Sequence, residues 1–216
     1  VTRPPARSRD AAYFAALYEA NPDPWDFIGS AYEHRKYQAT LAALEGRQFD
    51  RAFEIGCSIG VLTRLLAPRC ASLLGADIVD TALAEAKQRC ADRSHVRFVN
   101  LRVPEQWPAG PPFDLILCSE MLYFLNPADI VRLAGRASDS LTPHGMILLV
   151  NYTEQVDEPC TGDQAAEIFI AATAGILIPT RHERHDKFRI DRLRRRRITG
   201  GTAHIHEIEE LHDRNG

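Results

Sequence analysis

The segment Ala52-Phe-Glu-Ile-Gly-Cys-Ser-Ile-Gly-Val-Leu-Thr63 constrains this chain more than any other. A short apolar run leads into Gly56, and a new run begins near Gly60, which predicts a buried strand, a tight turn and a helix. Gly56, Ser58 and Gly60 are small, so the backbone N–H groups of the turn can approach another molecule closely, beside a helix N-terminus. Glu54 stands two positions before the first glycine.

Spacing separates three chemistries that use such a turn. A dinucleotide site asks for G-x-G-x-x-G, but here Ser58 takes the middle place and Val61 the closing one. Read literally, Gly56-Cys57-Ser58-Ile59-Gly60 is the G-x-S-x-G nucleophile elbow of serine hydrolases. That elbow needs strands and an oxyanion loop upstream, where the first fifty residues look helical. The third reading is a site for an amino acid joined to a nucleoside. Asp77, followed by Ile78, ends the next apolar run, and a carboxylate there accepts hydrogen bonds from ribose hydroxyls. With the pyrophosphate signature incomplete, S-adenosylmethionine fits better.

Strands near 51–55, 72–77, 96–100, 113–118 and 145–150 alternate with helices near 60–66, 80–90, 128–141 and 164–175. That order predicts an α/β fold, a parallel sheet with helices on both faces and ligands beyond the carboxyl ends of the strands. Two helices precede it, over 11–20 and 32–44, separated by Asn21-Pro-Asp-Pro24. Leu141 to Gly145 is expected to turn into the fifth strand, and Arg181 to Arg197 to form a last strand or hairpin. Leu101, Arg102 and Val103 follow the third strand. Ser119 and Glu120 end the fourth strand. Ser119-Glu-Met-Leu122 lacks the Asn/Asp-Pro-Pro-aromatic run of enzymes that methylate nucleobase amines.

With 216 residues, 45% hydrophobic, 25% charged and a net charge of -3, the chain suits one globular domain without general attraction to nucleic acid or anionic membrane. Residues 1–10 are expected to be disordered, 11–200 to form the domain, with 11–45 as its helical lid, and 201–216 to be a flexible tail. Cysteines 57, 70, 90, 118 and 160 make no metal-ligand spacing and are expected as reduced thiols in the cytoplasm. No stretch reaches the length of a membrane span. His204, His206 and His212 show no fourth ligand, so no metal is expected. Arg194 to Arg197 reads as a solvated sheet edge in preference to a nucleic-acid patch.

Glu54, Gly56 and Gly60 match the acidic-x-Gly-x-Gly-x-Gly motif of the class I methyltransferases, which the chain resembles, with Ser58 replacing the middle glycine. Asp23-Pro-Trp-Asp-Phe27 and Tyr32-Glu-His-Arg-Lys-Tyr37 resemble the N-terminal lid of a narrower group, the rhizobial nodulation protein S methyltransferases. The resemblance implies a Rossmann-like, mostly parallel seven-stranded sheet under a helical lid. It implies S-adenosylmethionine as cofactor, held by Glu54, Gly56, Cys57, Ser58, Gly60, Asp77, Ile78, Leu101, Arg102, Val103 and Ser119, with Trp25, Tyr32 and Arg35 at its methionine end. Glu120 and His34 are the candidate proton acceptors. The implied reaction is N-methylation of the free amine on the non-reducing terminal glucosamine of a de-N-acetylated chitooligosaccharide, with Trp25, Tyr32, Trp107 and Tyr123 as sugar platforms and no obligate protein partner. Another small amine, a nucleic acid, or hydrolysis by Ser58 are the alternatives.

Overall fold

Capping sets the first two helices. The computed structural model describes residues 7–196. In it the Asp10 carboxylate accepts from Tyr13 N–H at 3.0 Å and starts α1 (Ala11–Ala20), and the Ser30 hydroxyl accepts from Glu33 N–H and starts α2 (Ala31–Ala42). Between them the Asp23 carboxylate takes the N–H groups of Phe27 and Ile28 at 2.8 and 3.0 Å. The Pro-rich break is thereby a closed turn.

The body then alternates: β1 (Ala52–Ile55), α3 (Val61–Leu66), β2 (Leu73–Asp77), α4 (Asp80–Arg89), β3 (Val96–Asn100), β4 (Phe113–Ser119), α5 (Pro127–Asp139), β5 (Leu141–Tyr152), α6 (Gly162–Thr173), and the hairpin of β6 (Leu177–Arg184) and β7 (Phe188–Arg195). These strands form one seven-stranded sheet in the order β3-β2-β1-β4-β5-β7-β6. β1 to β5 pair in parallel, and β7 runs antiparallel to both its neighbours. Strand order reverses between β1 and β4, so a crevice opens beyond their carboxyl ends.

Strand periodicity divides the core into two layers. Phe53, Ile55, Ile116, Ile147 and Leu149 pack with Ile130 and Leu133 of α5 and Phe169 of α6. Ala52, Leu115, Leu117, Leu148 and Val150 pack with Tyr37 of α2 and with Leu62 and Leu66 of α3. Each fully buried large apolar side chain contributes roughly 1.5–3 kcal/mol. The same alternation turns Glu54 toward the α2 and α3 side. Tyr18 of α1 packs on Ile59, Val79 and Ala82, so α1 lies over the loops at the crevice.

Three expectations change. Residues 141–145 belong to β5: Phe113 pairs with Leu141 but Leu115 with Met146, so the extra residues are accommodated as a bulge. The expected edge residues Arg194 and Arg195 lie on β7, which is an interior strand, with β6 at the edge; on β7 buried Arg189 and Asp191 satisfy each other, and buried Arg192 reaches a nearby carbonyl instead of water. The Arg189 guanidinium donates to Asp191 at 2.8 and 3.0 Å, and Arg192 donates to the Ala43 carbonyl at 3.0 Å. Arg195 is spent on the carbonyls of Ser138 and Leu141, and Arg196 on that of Ala174. Ser8 and Arg9, expected in a disordered terminus, are tied down by Ser8 to Asp129 and Arg9 to Glu158. Residues 1–6, Arg197, the three tail histidines and the expected flexible tail lie outside the described residues.

Asp191→Ala is expected to lower unfolding stability by about 3 kcal/mol, the low end for breaking a buried ion pair, since Asp163 and Glu167 still face Arg189. Urea denaturation checks this. A loss under about 1 kcal/mol would mean that water screens the pair as it does at a surface.

Candidate active site

After β1 the chain turns through Gly56, Ser58 and Gly60, with φ of +76°, +50° and +77°. A Cβ on Gly56 would lie 3.0 Å from the Met121 Cβ, and one on Gly60 would lie 2.9 Å from the Ala86 Cα. Glycine is required at both by backbone conformation and by close approach. Ser58 adopts left-handed backbone without that freedom and is held there: its N–H donates to Asp77 Oδ2 at 2.8 Å and its hydroxyl meets the Tyr18 hydroxyl. Val79 N–H donates to Asp77 Oδ1 at 3.0 Å. One carboxylate therefore joins the β1–α3 turn to the start of α4. Burial pushes the Asp77 carboxyl above its ordinary range, and these N–H groups oppose the shift.

A crevice open at its mouth lies over this turn. Glu54, Gly56, Cys57 and Ser58 line one wall, Asp77 and Ile78 a second, Leu101, Arg102 and Val103 a third, and Ser119 and Glu120 the fourth. Gly60 sits behind the turn against Ala86, leaving Ile59 and Val61 at the crevice. Tyr18, Trp25 and Phe27 of the lid close it from above. A second cavity adjoins the first, sharing Trp25, Glu33, Glu120, Tyr123 and Phe124 with it and adding Tyr32, Tyr152 and Glu158.

Buried carboxylates dominate the electrostatics. Glu54 is 2% exposed, and its Oε2 has no hydrogen-bond partner among the described residues. Burial pushes its carboxyl up to about 7. Glu120, itself at φ +58°, accepts from the Tyr123 hydroxyl at 2.9 Å and has Lys36 Nζ 3.4 Å from its Oε1. Burial raises its carboxyl and Lys36 opposes the rise.

Helix phase corrects two expectations. Glu33, Lys36, Tyr37 and Thr40 form the buried stripe of α2, so His34 and Arg35 point to solvent and line neither cavity. His34 Nδ1 faces the Ser30 carbonyl at 2.9 Å instead. Tyr32 lies in the second cavity, away from the glycine turn. Trp107 is no sugar platform: it packs edge-on to Phe53, and its indole N–H donates to Ser140 at 2.6 Å. Sequence reasoning missed Glu33, Lys36 and Tyr18. The signal for the first two was an acid and a base three residues apart, in phase with the apolar mark of Tyr37. A hydrolytic Ser58 lacks a base, for no histidine among the described residues lines either cavity.

The strand order, the glycine turn after β1 and the acidic end of β2 define the class I methyltransferase fold. The N-methyltransferase NodS of Bradyrhizobium japonicum, solved in complex with S-adenosyl-L-homocysteine, superposes with a TM-score of 0.74 at 21% identity, over 88% of this chain and 100% of that one. A Pseudomonas syringae protein put forward as a methyltransferase superposes at 0.66 with 35% identity, over 77% of this chain and all of its own. The family model described as nodulation protein S (NodS) matches residues 17–161, and the chain belongs to that family. Nodulation protein S of Sinorhizobium fredii is 34% identical over 116 residues, 53% of this chain and 53% of that protein. The chain thus spans about half the length of the curated relatives it matches.

A buried Glu54 makes stability depend on pH with a sign opposite to that of an ion-paired carboxylate. Its folded value of about 7 lies above the ordinary 4.5, so in that window the folded chain binds the proton more tightly, and stability falls as pH rises through it. The full loss above the window is about 3 kcal/mol. Glu54→Gln is expected to flatten this slope and to be more stable than the wild type at mildly alkaline pH. Urea titrations across pH without ligand measure it, and identical slopes would assign the dependence to another group.

Proposed function

We propose that this protein is an S-adenosylmethionine-dependent N-methyltransferase acting on the free amine of the non-reducing terminal glucosamine of a de-N-acetylated chitooligosaccharide, a step in making a nodulation signal. The observation that carries the reading is the meeting of two cavities at Glu120. One has the geometry for a nucleoside joined to an amino acid, and the other is aromatic and acidic.

The residues of the first cavity fit the cofactor. Asp77 uses one lone pair of each oxygen on the turn, which leaves acceptors for two ribose hydroxyls. The unpartnered Oε2 of Glu54 suits the ammonium of the methionine end, and the small side chains of the turn let backbone N–H groups approach its carboxylate. When bound, S-adenosylmethionine would supply a methyl carbon made electrophilic by its sulfonium, open to attack by a neutral amine as the neutral thioether leaves. The chain itself has to align the amine, exclude water and take a proton. Trp25, Phe27 and Phe124 cover the crevice, and Glu120 stands between donor and acceptor cavities to receive that proton. Trp25, Tyr32 and Tyr123 remain the candidate sugar platforms.

Asp77→Ala is expected to weaken S-adenosylhomocysteine binding by roughly 1–3 kcal/mol in calorimetry. Unchanged affinity would remove Asp77 from the ribose site. For the acceptor, methyl transfer to a chitooligosaccharide with one terminal free amine is compared with transfer to its fully acetylated counterpart. Transfer to the first alone is the expected result. Equal transfer to both, or to neither while another small amine is methylated, would refute the sugar assignment and retain only the methyltransferase.

A further inference from the structure

Lys36 is 1% exposed, yet it lies between two carboxylates and beneath two aromatic rings. Its Nζ donates to Glu33 Oε1 at 2.8 Å, stands 3.4 Å from Glu120 Oε1, and lies 5.2 Å from the Tyr32 ring centroid and 5.9 Å from that of Tyr37. One cation thus meets two anions where water is largely excluded. Glu33 is 5% exposed, and its Oε2 has no hydrogen-bond partner among the described residues, nor has Glu120 Oε1. Burying a charge in that state costs several kcal/mol unless something compensates it.

The remaining charges around the cavity do not supply the compensation. Glu158 pairs with Arg9 Nε at 2.6 Å and takes the Tyr13 hydroxyl. Lys187 and Glu154 are exposed, where solvent screens them. Tyr32 on α2, Tyr123 after β4 and Tyr152 on β5 face the same space, and burial holds Tyr32 and Tyr123 as neutral phenols by raising both hydroxyls. Aromatic rings around an anionic centre favour a cation over a neutral or anionic guest.

We propose that Glu33, Lys36 and Glu120 form a receptor short of one positive charge, that it binds the acceptor as a protonated primary amine, and that Lys36 is the positioning residue that keeps Glu120 a carboxylate able to take the amine's proton. This rests on the methyltransferase reading and goes beyond it by naming the ionic form that binds. The step balances: one N–H bond of the ammonium breaks, its proton goes to a Glu120 oxygen, and the electron pair stays on nitrogen as the nucleophile. The transferred proton later leaves to solvent. Neutral amides and hydroxyl acceptors cannot supply the missing charge, so the receptor also selects against the acetylated sugar.

Calorimetry on protein saturated with S-adenosylhomocysteine tests this, using glucosamine and N-acetylglucosamine as probes. Wild type should prefer glucosamine, and the near-isosteric Glu33→Gln should weaken glucosamine binding about tenfold or more while its affinity for S-adenosylhomocysteine stays within about twofold. Lys36→Met should move the acid limb of the glucosamine-binding pH profile to higher pH, a displacement that a loss of packing alone would not produce. Undiminished glucosamine binding in Glu33→Gln, equal wild-type affinity for the two probes, or an unmoved limb in Lys36→Met would overturn the proposal. If Lys36→Met does not fold, Glu33→Gln decides it. Failure of wild type to bind S-adenosylhomocysteine would instead overturn the methyltransferase reading, and this one with it.

Discussion

The Asp77 carboxylate holds the turn against which the whole crevice is built. Two backbone N–H groups, one from Ser58 and one from Val79, end on its two oxygens. Without them Ser58 would have little reason to stay at positive φ, since a non-glycine residue there is strained. The position of Asp77 depends in turn on the sheet. Glu54 pairs in register with Gly75 and Ile55 with Ala76, so β1 and β2 end side by side and deliver the turn and the carboxylate together. Parallel pairing thus fixes Asp77 relative to the glycine turn.

A second constraint is electrostatic. Glu54, Glu33 and Glu120 all expose a buried oxygen without a hydrogen-bond partner among the described residues, and each lines a cavity. A fold tolerates such groups where ligands complete them, because an unsatisfied buried acceptor costs roughly 1–3 kcal/mol or more when charged. The raised carboxyls of Glu54 and Glu120 express the same cost as a reluctance to ionise. On the proposed function, cationic guests at both ends of the joined cavities would relieve it and so couple ligand binding to stability through mass action.

The sheet was legible because its signals are local and repeated. Apolar runs bounded by small or polar residues placed β1 to β4 within a residue or two, and the Gly56 to Asp77 spacing placed the crevice. Side-chain direction on the lid was less legible. Tyr32-Glu-His-Arg-Lys-Tyr37 carries aromatic and charged residues on every side, so its pattern does not announce which face is inward. The body chose Glu33, Lys36 and Tyr37, a choice made by the unpaired charge and the rings across the cavity. Arg194 and Arg195 misled for a related reason. A run of basic residues looks solvated until the fold sets Arg194 on an interior strand and Arg195 against the Ser138 and Leu141 carbonyls.

The lid is therefore part of the chemistry as well as a cover. α1 reaches the glycine turn through Tyr18 and Ser58, while α2 reaches the end of β4 through Lys36 and Glu120. Neither contact is apolar at its centre, although apolar packing surrounds both. Each helix thus senses the group next to which a ligand would lie: α1 the turn, α2 the acid. A movement of α2 by a single helical residue would rotate its buried stripe by about 100°. It would carry Lys36 off Glu120 and turn a different side chain, Arg35 or Tyr37, toward the acid. The register of α2 on the sheet is for this reason as strict as that of a strand, and the contact of the Lys36 ammonium with Glu120 marks it.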